Sequence, residues 1–180
     1  MVQSTLRISS SPHLKQRTTT DAIMRNVVWA MLPVAAFAVY SFGLGTLMLL
    51  MTTTVACVLT EHILCRVSGR ESTISDWSAV ITGLLLGLTL PPIFPLWMAF
   101  VGSVIAMGLG KFIFGGLGYN VFNPALVGRA VLQAAFPAAI TTWYPAFTEN
   151  RFTEVAASTL ATPFMRPPAV DVVTGATPLA

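Results

Sequence analysis

From Asn26 to Phe136 the chain is one apolar stretch after another, broken by prolines, glycines and one short charged connection. A soluble domain covers its water-facing surface with charges, about a quarter of its residues; here only 9% are charged and 54% are hydrophobic, with a mean hydropathy of +0.74. Such a chain belongs in a bilayer. At roughly 20 apolar residues per crossing helix, a chain of this length holds about four to six spans. The formal charge is +3, and four of the ten Lys and Arg residues lie before residue 26. That clustering is a positive-inside signal rather than a nucleic-acid surface, so the expected partner is the lipid bilayer and no nucleic acid.

Residues 1–25 are polar, with Arg7, Lys15, Arg17 and Arg25 against Asp21, and read as a cytoplasmic segment before an uncleaved first span. Apolar segments then run from Asn26 to Phe42 and from Thr46 to Cys65, with a reversal at Gly43-Leu44-Gly45 between them. Together they predict a helical hairpin that returns to the basic side at Arg66, Arg70, Glu71 and Asp76. A third segment, Trp77 to Leu90, stops at Pro91-Pro92, because consecutive prolines remove helix donors and clash with the preceding turn. A fourth covers Leu96 to Phe114 and leads into the glycine-rich run 115–120. The fifth starts at Asn123-Pro124, a good N-cap followed by a proline at the first helical position, and ends near Pro137. The expected fold is an all-α polytopic membrane protein of about five transmembrane helices, some short or broken at Pro and Gly. Residues 26–137 form its membrane domain, and 138–180 form an extramembrane connection with one interfacial helix. By parity, that connection faces away from the cytoplasm.

Cys57 and Cys65 lack any CxxC or Cys/His spacing, and His13 and His62 stand alone, so no metal site is expected. Three other stretches carry chemistry. Asp171-Val-Val-Thr174-Gly175-Ala176-Thr177 has the Asp-x-x-[Ser/Thr]-Gly-Ala-[Ser/Thr] form on which a flavin transferase moves FMN from FAD to a hydroxyl. Thr177 is the acceptor position, Asp171 and Thr174 are recognition residues, and small Gly175 and Ala176 let an enzyme approach the backbone. Pro178 holds the acceptor extended. The plain structural reading is a glycine turn capped by threonines.

The second stretch, Asn120 to Ala130, opens a helix inside the membrane, whose free N–H groups and positive dipole end suit an anion, a carbonyl or an electron-rich ring. Arg129 is an intramembrane charge, either functional or snorkelling to an interface. Asn-Pro-Ala also occurs in water and glycerol channels, but here in a single copy. The third stretch, Asp76 to Pro92, presents small residues around Thr82 and Gly83, a flat face for close helix packing or for a planar ring. Glu61 reads as interfacial, with an ion-pathway role as the alternative.

Four ordered motifs carry a resemblance: 8–13 (Ile-Ser-Ser-Ser-Pro-His), 79–92 ending in Leu-Pro-Pro, 115–129 with Asn-Pro-Ala-Leu-Val-Gly-Arg, and 171–179. Together they resemble the D subunit of the Rnf ion-translocating oxidoreductase complex, a family shared with the B subunit of the sodium-translocating NADH:quinone reductase. The resemblance implies FMN held as a phosphoester on Thr177, in one half of a ten-helix bundle of two inverted repeats. It further implies a multi-pass protein of the bacterial inner membrane that relays electrons between other subunits, with a flavin transferase as its maturation partner. Asn123, Arg129, Thr82 and Gly83 are the expected flavin surroundings. The chain ends at Ala180, directly after the flavin motif, and the expectation is truncation before a second repeat. Two other readings stand beside the redox one: a broken-helix transporter or channel without flavin, and a remnant that scaffolds partners.

Overall fold

The computed structural model describes residues 19–69, 74–143, 145–163 and 165, and among these all regular structure is helical. Helix α1 (Thr20–Phe42) starts six residues before the apolar run. The reason is local: the Thr19 side chain accepts from Ala22 N at 3.3 Å and caps the helix early, and Asp21 favours the positive first turn. The reversal is tighter than the sequence suggests. Gly43 alone, at φ +83°, ends α1 by donating to Val39 O at 2.7 Å and opens α2 (Leu44–Val67). Only glycine adopts that backbone without strain.

Helices α1 and α2 are long and apolar enough to cross a membrane. Their faces are turned opposite to those of a soluble protein. Leu47, Met51, Val55, Leu59 and Ile63 recur every four residues along α2 and are all exposed, while Thr46, Thr53, Thr60 and Glu61 are buried. Such an apolar stripe cannot face water. The inward hydroxyls of Thr53 and Thr60 donate to the carbonyls of Leu49 and Ala56, four residues earlier, at 3.0 and 2.7 Å.

The remaining helices are short: α3 (Ser78–Thr89), α4 (Leu96–Met107), α5 (Pro124–Ala135) and α6 (Pro137–Thr141). Twelve residues make about 18 Å of helix, less than the roughly 30 Å hydrocarbon layer. The two breaks fall where the sequence puts them, at Pro91-Pro92 and at Asn123-Pro124, with the Asn123 side chain accepting from Ala125 N at 3.0 Å. Helix α4 departs from expectation by continuing as a π-turn, Gly108–Phe112. Pro137 ends α5 and also begins α6.

Small residues bring the helices together. Gly83 of α3 lies on the backbone of Thr53 and Thr54 in α2, where no Cβ would fit. Gly102 faces Leu132, and Gly110 faces Pro124, so α4 and α5 run antiparallel. The core between them holds Leu49, Leu86, Phe94, Ala106 and Leu132. One end of the bundle, the near end, contains the starts of α1, α3 and α5 and the finishes of α2 and the π-turn. The far end contains Gly43, Pro91–Pro95 and α6. Residues 145–163 lie across the far end. Phe147 N donates to Ser41 O at 2.8 Å, Leu44 N to Arg151 O at 2.9 Å, and Leu96 N to Thr159 O at 3.1 Å.

Candidate functional site

The flavin motif, Asp171, Thr174, Gly175, Ala176 and Thr177, lies outside the described residues. The other sequence candidates are separated by the fold. Thr82 and Asn123 line one near-end cavity of about 340 Å³, with Ile81, Leu85 and Phe122 among its apolar walls. Thr82 is buried and donates to Ser78 O at 2.9 Å. Gly83 faces α2 and serves packing. Arg129 neither lines that cavity nor reaches free into solvent: its Nη1 donates to Thr89 O, the last carbonyl of α3. A cation at a helix C-terminus complements the dipole, so Arg129 ties α5 to the broken end of α3.

At the near end Glu61, Asp76 and Ser78 converge on the Lys111 ammonium. Lys111 Nζ donates to Glu61 Oε1 and to Ser78 Oγ. Its ammonium also lies 3.7 Å from Asp76 Oδ2. Asp76 Oδ1 in turn accepts from Ser78 N at 2.9 Å and from Ser78 Oγ at 2.5 Å. Lys111 and Glu61 are 4% and 3% exposed, so these charges are held by each other rather than by water. The π-turn sets the geometry. Ile113 N bonds Gly108 O at 3.1 Å, and the extra residue re-aims the helix so that Lys111 points inward from α4.

At the far end a second cavity, of about 290 Å³, lies beneath residues 148–159. Arg151 stands at its rim. Its Nε donates to Tyr40 O at 2.9 Å and its Nη1 to Thr148 O at 3.1 Å. The guanidinium lies 4.9 Å from the Phe152 ring centroid and 5.4 Å from that of Tyr40. Among the described residues no carboxylate pairs with it. Thr159, fully buried in the cavity wall, has a hydroxyl with no hydrogen-bond partner among them.

A profile of the NQR2, RnfD, RnfE family matches residues 7–180. The chain belongs to that family. The D subunit of a proton-translocating ferredoxin:NAD(+) oxidoreductase complex of Clostridium ljungdahlii is 45% identical over 136 residues, which is 76% of this chain and 41% of that protein. Its counterpart in the Na(+)-translocating ferredoxin:NAD(+) oxidoreductase complex of Acetobacterium woodii is 44% identical over 141 residues, 78% of this chain and 44% of the relative. The D subunit of the ion-translocating oxidoreductase complex of Shewanella pealeana is 40% identical over 139 residues, 76% and 40% of the two chains. The chain thus spans about two fifths of the length of the curated relatives it matches.

Within this NQR2, RnfD, RnfE chain, sequence reading missed Lys111, Arg151 and Thr159. Lys111 was legible in one way only. Glu61 near the end of the second apolar segment, Asp76 before the third and Lys111 near the end of the fourth must share one end of an up-down bundle. Opposite charges at one end of successive spans are a pairing signal. Arg151 and Thr159 carry no such signal, because what distinguishes them is that, among the described residues, the guanidinium has no carboxylate partner and the Thr159 hydroxyl no hydrogen bond.

Proposed function

We propose that the chain is the flavin-bearing portion of a membrane subunit in an ion-translocating electron-transport complex, with FMN joined as a phosphoester to Thr177. The observation that carries this is the acceptor motif at 171–177, standing in a chain matched to the family from residue 7 to residue 180. When bound, a flavin supplies the redox chemistry, and the protein's part is to position it and tune its surroundings. That division of labour requires no catalytic dyad of side chains.

The donor chemistry of the far end fits a phosphate-bearing group: among the described residues Arg151 has no carboxylate partner and the Thr159 hydroxyl is unsatisfied. The chain is described as far as Met165, and the far-end cap 145–163 is the last described layer before the motif. In this reading Thr177 is the acceptor, with Asp171, Thr174, Gly175 and Ala176 forming the recognition set for the transferase. Thr82 and Asn123 shape a separate cavity at the other end. Arg129 and Gly83 hold the helices that frame both.

Flavin fluorescence of the denatured protein band tests the reading, using cells that co-express a flavin transferase. The wild-type band fluoresces and the Thr177→Ala band is dark at equal protein load. A dark wild-type band, with the transferase active on another acceptor, removes the covalent flavin from the account. Co-purification of the other complex subunits with an affinity-tagged chain tests the partner half of the proposal.

A further inference from the structure

Three features of the far end open on one cavity. Helix α2 begins there with Gly43 as its cap; Leu44 N donates to Arg151 O at 2.9 Å, Gly43 offers no side-chain acceptor to the rest of the first turn, and Gly45 of that turn forms part of the cavity wall. The N-terminus of a long helix carries about half a positive charge. Arg151, at the rim, adds a full charge that no carboxylate among the described residues neutralises. The third feature is independent of the other two: the Thr159 hydroxyl, 0% exposed and in the cavity wall, has no partner among the described residues, although buried hydroxyls are nearly always hydrogen-bonded. Glu154 also lines the rim, where its Oε1 accepts from Asn150 Nδ2 at 3.3 Å. The floor, with Pro92, Ile93 and Ala156, is apolar.

We propose that this cavity binds a phosphodiester monoanion, with its charged oxygens between Arg151, the α2 N-terminus and the Thr159 hydroxyl, and one organic substituent on the apolar floor. One guanidinium and a half-charge helix end, set against one carboxylate at the rim, favour a single negative charge over two. The apolar floor favours a diester over inorganic phosphate. Two sources supply this chemistry: a phospholipid headgroup at the membrane surface, or the diester that would link FMN to Thr177. The second source rests on the function proposed above and the first does not.

The full chain is purified in detergent in two forms, flavin-loaded and Thr177→Ala, each with and without Arg151→Leu or Thr159→Val. Dihexanoylphosphatidylglycerol is titrated against each form by native mass spectrometry, and the fluorescence anisotropy of the tethered flavin is read in the loaded form. The unloaded chain binds the lipid saturably, and each far-end substitution weakens that binding about tenfold, the effect of losing one charge-assisted hydrogen bond. If the flavin diester is the occupant, the loaded chain excludes the lipid, and either substitution lowers the flavin anisotropy. If a lipid is the occupant, both forms bind it alike and the anisotropy does not move. Arg151→Leu removes the tie to Tyr40 as well, so Thr159→Val, which exchanges a hydroxyl for a methyl, decides if the arginine variant does not fold. Lipid binding and anisotropy that are both insensitive to Thr159→Val overturn the site. If no flavin attaches although the transferase is active, the proposed function fails and the lipid titration alone decides: tenfold weakening upholds the site, and no change overturns it.

Discussion

The two ends of this bundle treat charge in opposite ways. At the near end Lys111, Glu61, Asp76 and Ser78 come from four helical segments, the π-turn, α2, the 3-10 turn Ile74–Asp76 and α3, and pair with one another in the protein interior. At the far end, among the described residues, Arg151 rests on aromatic rings and carbonyls without a counter-ion, and the buried Thr159 hydroxyl has no hydrogen-bond partner. In the first arrangement every charge has an opposite charge beside it. The second has donors left over, and leftover donors in a native structure call for an occupant. The near end is therefore where paired charges lock the fold, and the far end is where the proposed phosphodiester would be received.

If that contrast is right, the largest loss comes from opening the near-end pair. Lys111→Met leaves the Glu61 and Asp76 carboxylates without the ammonium they share, and breaking a buried pair from one side costs about 3–5 kcal/mol. The thermal midpoint in detergent should fall sharply, and the yield of folded protein with it. Lys111→Met combined with Glu61→Gln removes both partners, so its loss should be clearly smaller than the sum of the two single losses. Strict additivity would mean that the pair is not a unit, and the comparison between the ends would lose its first term.

Next in size are the contacts that hold both ends in place. Gly83→Ala forces a Cβ onto the α2 backbone at Thr54, and overpacking of this kind costs about 1–3 kcal/mol. Gly108→Ala is the control: its φ is −66° and open space surrounds it, so the midpoint should stay or rise slightly. Arg129→Leu, which uncaps α3 at Thr89, should cost about 1.5 kcal/mol, the lower end for a hydrogen bond from a charged group because the side chain is only half-buried. Arg129→Lys separates charge from fork geometry. If lysine restores the midpoint in full, the dipole interaction matters and the guanidinium shape does not.

What the sequence made legible was local. Pro91-Pro92 and Asn123-Pro124 announce helix ends by chemistry contained in a few residues, and α3 and α5 stop and start within two residues of those signals. The start of α1 was placed late because an apolar run marks where a helix is buried in lipid, whereas the Thr19 cap marks where it begins. The π-turn was hidden, since nothing in Gly-Leu-Gly-Lys-Phe distinguishes an i→i+5 turn from the end of an ordinary helix. Of the candidate site, the acceptor motif could be read because a transferase must recognise it as a short linear pattern. The far-end cavity could not, because it is made by Gly45, Pro92, Arg151 and Thr159, which are brought together only when the connection folds back over α2.

The smallest effects test the contrast most directly, because they compare one hydroxyl with another. Ser78 Oγ is buried and bonded on both sides, accepting from Lys111 and donating to Asp76. Removing it in Ser78→Ala leaves a charged donor and a charged acceptor short of a partner, so stability should fall by about 1–2 kcal/mol. Thr159 Oγ1 is as deeply buried and has no bond to lose among the described residues. In the chain freed of flavin and lipid, Thr159→Val replaces an unsatisfied hydroxyl with a methyl of the same shape, and stability should hold or rise by up to about 1 kcal/mol. Added dihexanoylphosphatidylglycerol should reverse the order, raising the midpoint of the wild-type chain more than that of the valine variant, since only an occupied site rewards the hydroxyl. Equal losses for Ser78→Ala and Thr159→Val in the empty chain would mean that Thr159 already has a partner within the protein, and the two ends would then differ in composition but not in purpose.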